Sequence, residues 1–211
     1  MTPRDTERLV HAAVRAGVTD DAVLDAVRAV PRSAFVPPER AAEAYRDAPL
    51  PIPRGMVTSQ PSLIARMVAA LGLTGVEHVL EVGTGYGYQT ALLAYLAGHV
   101  VSIERWPELA ARARANLAAQ GIANVEVIVG DGTEGVPEHA PYDAVLVSAA
   151  FPKVPEPLVE QLQVGGRLVQ PIGPGGLDDV TVFQRTPVGL ARLGHVCPAN
   201  FVRLYGRHGY H

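Results

Sequence analysis

The chain is poor in the residues that build covalently stapled or metal-held scaffolds. Its 211 residues include one cysteine, Cys197, which excludes an internal disulfide and a cysteine metal cluster. The seven histidines (His11, His78, His99, His139, His195, His208 and His211) lack metal-ligand spacing, and no metal is expected. No apolar run approaches the ~20 residues that span a bilayer. The opening MTPRDTERLVHAAVRAG has no apolar stretch of the kind a secretory signal needs. An excess of either charge is missing too. A net charge of −3 gives no general reason to expect nucleic acid or an anionic membrane as partner. What remains is a cytoplasmic, soluble chain, expected to be a monomer, long enough to bury a real core as one domain.

The first thirty residues read as two short helices. Leu9, Val10, Ala13 and Val14 share one helical face, and Val23, Leu24 and Val27 form a second stripe. Thr19 is the expected N-cap of the second helix, and Pro31 closes it. From Ala44 to Pro61 runs AYRDAPLPIPRGMVTSQP, with four prolines and little to support a regular helix or strand. Loops this long are uncommon in compact domains and are often functional. Pro61 suits the first turn of a helix, PSLIARMVAALGL.

After Gly75 the pattern alternates. HVLEVG (78–83), HVVSIE (99–104), VEVIVG (125–130), YDAVLVSAA (142–150) and GRLVQPIG (166–173) read as strands. Between them lie three helical stretches: QTALLAYLAG (89–98), PELAARARANLAAQG with Gly121 as its stop, and PEPLVEQLQVGG. This order predicts an α/β fold: a Rossmann-like, doubly wound, mostly parallel sheet. N-terminal helices precede it, and a β-rich tail over 180–206 adds antiparallel strands at one edge. One domain is expected over 1–211, with N-terminal helices and loop at 1–75, a cofactor-binding core at 76–175 and the β-rich part at 176–211.

The first strand-to-helix turn reads EVGTGYGYQTA. Gly83, Gly85 and Gly87, with Thr84 between them, let the backbone turn tightly and approach a ligand at a helix N-terminus. The spacing is GxGxG, with the third glycine one position earlier than in the dinucleotide fingerprint GxGxxG. That counts against a bound pyrophosphate and a nicotinamide dehydrogenase. It suits a nucleoside with an amino-acid tail, such as S-adenosylmethionine. Glu104 ends the second strand, 21 residues beyond Gly83, where an acid can accept from ribose hydroxyls. Arg105 follows it. Asp131-Gly132 ends the third strand, where an acid can reach an adenine amino group. Glu81 serves either the methionine end or the turn itself. Trp106 either stacks on the adenine edge or packs at the helix start.

VLEVGTGYGYQTA resembles the first motif of class I S-adenosylmethionine-dependent methyltransferases. VPRSAFVPPERAAEAYRDAPLPI, the following SQP, YDAVLVSAAFPKVPEPLVEQLQVGGRLVQPIG and the closing FVRLYGRHGY narrow this to a resemblance to the protein-L-isoaspartate O-methyltransferase family. The resemblance implies methylation of the α-carboxyl of L-isoaspartyl and D-aspartyl residues in damaged proteins, with S-adenosyl-L-homocysteine as product. The methyl ester then collapses to a succinimide. The family's loop usually reads GQTISQP, with the serine assigned as the active-site residue. Here it is GMVTSQP, which places Ser59 at that serine and a hydroxyl at Thr58, an expected cofactor contact. Tyr86 stands where the family commonly has serine.

Such chemistry asks for no strong base, because a carboxylate acceptor is already ionised at neutral pH. Ser59 can aim it, helped by N–H groups at the start of the 61–71 helix, or else Thr58 and Ser59 cap that helix. A proline-stiffened lid excluding water is expected here. Tyr45 either shapes a groove or anchors the loop. The FVRLY segment is expected to offer a free strand edge to substrate. The main rival is a related carboxyl O-methyltransferase acting on one dedicated peptide or small acid. Such relatives often carry an extra domain. A binding module without catalysis is a further alternative. Nucleic-acid N-methyltransferases are disfavoured, because the fourth strand ends in SAAFP and lacks an NPPY-like turn.

Overall fold

The structure, a computed structural model, describes residues 3–211. Met1 and Thr2, the first residues of the opening stretch discussed above, lie outside the described residues.

Two helices lead the chain, α1 (Pro3–Arg15) and α2 (Asp21–Ala29). Leu9, Val10 and Ala13 are buried as expected, but Val14 is half exposed at 50%, the stripe being narrower than the sequence implies. The cap of α2 is Asp20, not Thr19: its carboxylate accepts from the N–H groups of Ala22 and Val23. An ionised acceptor is the stronger partner for those unpaired donors.

The proline-rich passage is more regular than its composition predicts. It contains a small antiparallel ribbon, β1 (Leu50–Ile52) paired with β2 (Met56–Thr58). The connecting Pro53-Arg54-Gly55 turns with both Arg54 (φ 66°) and Gly55 (φ 70°) in the left-handed region. That conformation is uncommon for a residue with a side chain. Pro51 is tolerated because the ribbon has only two strands, both of them edges. Helix α3 (Pro61–Leu71) then starts on its proline, with Gln60 at the N-cap position, and stops at Gly72 (φ 65°).

The core alternates β3 (His78–Val82), α4 (Tyr88–Leu96), β4 (His99–Glu104), α5 (Pro107–Ala119), β5 (Val125–Val129), β6 (Tyr142–Val147), α6 (Glu156–Gln161), β7 (Leu162–Ile172), β8 (Gly176–Thr186) and β9 (Gly189–Phe201). One sheet runs β5-β4-β3-β6-β7-β8-β9; the first five strands are parallel, and β8 and β9 are antiparallel. The fold class read from the sequence is the one observed. The expected helix over PEPLVEQLQVGG stops early, however, since Leu162 already belongs to β7. Gly165 (φ 92°) and Gly166 are poor helix formers, and Leu162 is buried at the sheet.

Period-two alternation sends the strand residues to two cores. Val79, Val100, Ala144 and Leu146 pack beneath α1–α4, while Leu80, Val82, Val101, Ile103, Val145 and Val147 face α6 and the opposite side. After β3 the chain builds outward through β4 and β5, then returns to β6 on the other side of β3. The carboxyl ends of β3 and β6 therefore bound a crevice at a topological switch point, the place where open α/β sheets bind ligands. Leu146 lies fully buried beside that crevice. Leu146→Ala is expected to cost about 2–5 kcal/mol, read as a lowered urea midpoint with an unchanged slope.

Candidate active site

A cavity of about 460 Å³ opens at this crevice, within the range of small-molecule sites. Three chain segments wall it. The glycine turn supplies one wall. Gly83, Gly85 and Gly87 have φ of 97°, 57° and 94°, and the turn is tied down by Gly83 N–H donating to the Ile103 carbonyl (2.9 Å) and Gly87 N–H to Thr84 (2.9 Å). Only residues without a Cβ sit there without strain. Gly132 lines the same wall, where a Cβ would come within 2.4 Å of a Val82 methyl.

Glu104 lies at the end of β4, almost fully buried. One carboxylate oxygen accepts from Gly85 N–H (2.8 Å) and the other from Trp106 N–H (3.0 Å). Burial pushes its carboxyl up, against the pull of those backbone donors. Each oxygen has a second lone pair, so the acid can still accept from a diol. Arg105 and Trp106 line the cavity beside it. The Trp106 ring is flanked by two guanidiniums, Arg54 at 4.8 Å and Arg105 at 5.4 Å. It is also the N-cap residue of α5 (Pro107–Ala119), which is the packing position read from the sequence.

Glu81 is beneath the turn, not in the cavity. Fully buried, it accepts from Gln89 Nε2 (2.9 Å) and from the hydroxyls of Thr90 and Ser102. Ser102 in turn shares a 2.6 Å hydrogen bond with Thr84, and Gln89 also donates to Ser148. Desolvation pushes the Glu81 carboxyl up to about 7, although the three donors oppose it. Of its two possible roles, the structural one is what the geometry provides.

Asp131 is placed differently from Glu104. Its carboxylate accepts from Thr133 N–H and Oγ1 and from the Arg207 N–H. Burial opposes ionisation, but those hydrogen bonds outweigh it and hold the group below the usual range. Its side chain thus turns toward the 206–208 segment and lines a neighbouring hollow, while Gly132 alone of the pair borders the main cavity.

The second wall is the proline-rich passage. Thr58 is buried at the cavity, and Ser59 lines it with a hydroxyl that makes no hydrogen bond among the described residues. Ile52 packs with Tyr86 and Leu109, joining the ribbon to the glycine turn and α5. The segment is therefore a packed wall here and not a free lid. Tyr45 is a loop anchor, its hydroxyl 3.1 Å from Ser33 Oγ. Of the helix N–H groups expected to assist Ser59, Pro61 has none, while Ser62 donates to Asp47 (2.9 Å) and Ile64 to the Gln60 carbonyl (3.1 Å).

The third wall is the one the sequence offered only as a strand edge for substrate; its place beside the glycine turn was not expected. Residues 200–205 and His211 border the cavity. FVRLY is paired along one side, where Ala150 N–H donates to the Val202 carbonyl and Leu204 N–H to the Ala150 carbonyl, both at 2.8 Å. Arg105 lies 5.5 Å from the Tyr205 ring, linking this wall to the end of β4. Beyond β9 this wall pairs only through isolated bridges, at Arg203 and Tyr205, and has no periodicity to betray its place. The aromatic residues Phe201 and Tyr205 were the available signal.

A glycine cradle, a buried acid at the end of the second core strand and a cavity of this size fit S-adenosylmethionine. Fold and site together define a class I S-adenosylmethionine-dependent methyltransferase. The family model for protein-L-isoaspartate(D-aspartate) O-methyltransferase matches residues 4–209, and the chain belongs to that family. Relatives named protein-L-isoaspartate O-methyltransferase include one from Methanoculleus marisnigri, 49% identical over 98% of this chain and 94% of its own length. Another, from Anaeromyxobacter dehalogenans, is 53% identical over 89% of this chain and 91% of its own. A solved structure of the same name superposes with a TM-score of 0.85 at 30% identity, covering 97% of this chain and 67% of that one. A Plasmodium falciparum structure solved with S-adenosyl-L-homocysteine shares the fold, with a TM-score of 0.77 at 23% identity, over 95% of this chain and 97% of that one.

The Glu81 carboxyl gives the site a pH signature. It titrates near 4.5 when unfolded and near 7 when folded, so the native state holds the proton longer. Its stabilising contribution is complete below the lower value and is lost as pH rises through the higher one. Glu81→Gln has no charge to bury. Melting temperatures measured at about pH 5 and about pH 8 are expected to shift against the wild type, relative to this variant, at the higher pH.

Proposed function

We propose that the chain methylates the α-carboxyl of L-isoaspartyl and D-aspartyl residues in damaged proteins and peptides. The observation that carries this reading is Ser59: an unpartnered hydroxyl on the wall facing the glycine turn and Glu104, contributed by a separate chain segment. S-adenosylmethionine, when bound, supplies an electrophilic methyl group. Gly83, Thr84, Gly85, Gly87 and Gly132 would hold it through backbone approach, Glu104 through the ribose hydroxyls, with Thr58 and Arg105 beside it. Asp131 keeps its expected role at the adenine end, where the oxygen that accepts from Arg207 N–H has a second lone pair for the base.

The chain's own task toward the acceptor is alignment and dehydration. An isoaspartyl carboxylate is ionised near neutral pH, so no side chain has to remove a proton. Ser59 donates a hydrogen bond that aims one carboxylate oxygen. The surrounding wall of Ile52, Met56 and Trp106 keeps water away from it. The resulting ester closes to a succinimide when the following backbone nitrogen attacks it and methanol leaves, a step that needs no enzyme group. Net charge −3 favours a protein acceptor over a polyanion. Among the described residues no helix is long and apolar enough to cross a membrane. Action as a cytoplasmic monomer belongs to the same reading.

Labelled cofactor and paired peptides differing only in Asp versus isoAsp test this directly. Base-labile methyl ester is expected on the isoAsp member alone; bound cofactor with label on neither peptide would favour a dedicated peptide or small acid. Loss of one hydrogen bond to a charged group is worth about 1.5–3 kcal/mol. Ser59→Ala is therefore expected to lower kcat/KM roughly ten- to a hundredfold while leaving cofactor affinity, read by calorimetry, unchanged.

A further inference from the structure

The wall that carries Ser59 is held by two charged residues that touch neither cavity nor cofactor position. Arg32 sits on a short 3₁₀ turn (Arg32–Phe35) and is fully buried. One of its terminal nitrogens donates to the carbonyls of Ala44 (2.9 Å) and Arg46 (3.0 Å). The other donates to Ala48 (3.0 Å) and Ser59 (3.1 Å). Four carbonyls from a stretch of sixteen residues thus converge on one planar fork. Asp47 lies within that stretch and works from the opposite side. One of its oxygens accepts from Ser62 N–H (2.9 Å), the other from Ser62 Oγ (2.8 Å) and Gln60 Nε2 (2.9 Å). The residue between these two sets of bonds is Ser59, held through its carbonyl, with its hydroxyl left out of the network.

We infer that Arg32 and Asp47 form a two-sided clamp that sets where the Ser59 hydroxyl stands, making both positioning residues for the acceptor. The inference rests on the role given to Ser59 above. Apolar packing often stabilises a fold as well as buried charge does. What a guanidinium adds is direction, because its donors are fixed in one plane and a lysine ammonium cannot reproduce them. An acceptor placed about 1 Å from its line of attack reacts on the order of a hundredfold more slowly, so a loop with no cofactor contact of its own at Arg32 can still set the rate.

The test is a double-mutant cycle. Arg32→Lys and Asp47→Asn are each made in the wild type and in Ser59→Ala, with kcat and KM measured on an isoAsp peptide. S-adenosyl-L-homocysteine affinity is measured by calorimetry, and amide exchange is followed across the chain. The clamp predicts a fall in kcat of roughly ten- to a hundredfold in the wild-type background and less than about twofold in Ser59→Ala. It also predicts homocysteine-product affinity within about twofold and faster exchange confined to 44–60. Equal losses in both backgrounds, or exchange that quickens equally in β3 and β4, would mark a general structural role and overturn it. Should Arg32→Lys fail to fold, Asp47→Asn, a substitution of similar shape, carries the same cycle. If the wild type places no ester on isoAsp peptide, the proposed activity falls. The clamp is then decided by exchange alone: lost protection limited to 44–60 upholds it, and unchanged protection overturns it.

Discussion

A carboxylate buried without water has to find hydrogen-bond donors among its neighbours or give up its charge. Glu81 meets that demand beneath the glycine turn, and much of the donor side of the site follows from how it does so. Gln89 and Thr90 reach it from the first turns of α4, and Ser102 from the adjacent rung of β4. Ser102 then engages Thr84 inside the turn itself. One acid therefore locks the strand before the turn, the helix after it and the neighbouring strand into one geometry. The turn is left with positive φ values and no Cβ atoms at its glycines, so a ligand can approach its backbone closely.

The acceptor side solves the complementary problem with the opposite charge. There a buried guanidinium gathers backbone carbonyls, and a carboxylate gathers the donors that follow Ser59. The two walls meet through apolar contact, Ile52 against Tyr86 and Leu109, and through Arg54, which pairs with Glu108 and lies over the Trp106 ring. Polar networks thus fix each wall internally, and a small hydrophobic seam with one arginine across it sets the gap between them. That division suits a site in which a nucleoside and a peptide must be held independently and brought together without water.

Much of this was legible in the sequence because it is periodic or local. Alternating strands and helices gave the sheet, and the GxGxG spacing with Glu104 gave the donor wall. The resemblance of GMVTSQP to the family's loop marked Ser59. Other features depended on long-range pairing that no local pattern encodes. The β1–β2 ribbon hides in a proline-rich stretch because two edge strands tolerate residues a central strand rejects. Arg32 was not singled out in the sequence, because its four carbonyl partners lie 12 to 27 residues away. Asp131 was singled out by position at a strand end, yet one of its partners is the N–H of residue 207, 76 positions on. The helix at 156 ran long in the reading because Leu162 suits either element until the glycines after it are given their backbone angles.

The partners of Arg32 are all main-chain oxygens, and every amino acid carries one. The frame that holds the acceptor wall is therefore indifferent to which side chains decorate it. Residues 56–58 can be exchanged, as Met56, Val57 and Thr58 differ from the usual GQTISQP pattern, without removing a single strut. Such a wall behaves as a mount with a replaceable insert: selectivity toward the incoming chain is free to drift while the alignment of the attacking oxygen stays constant.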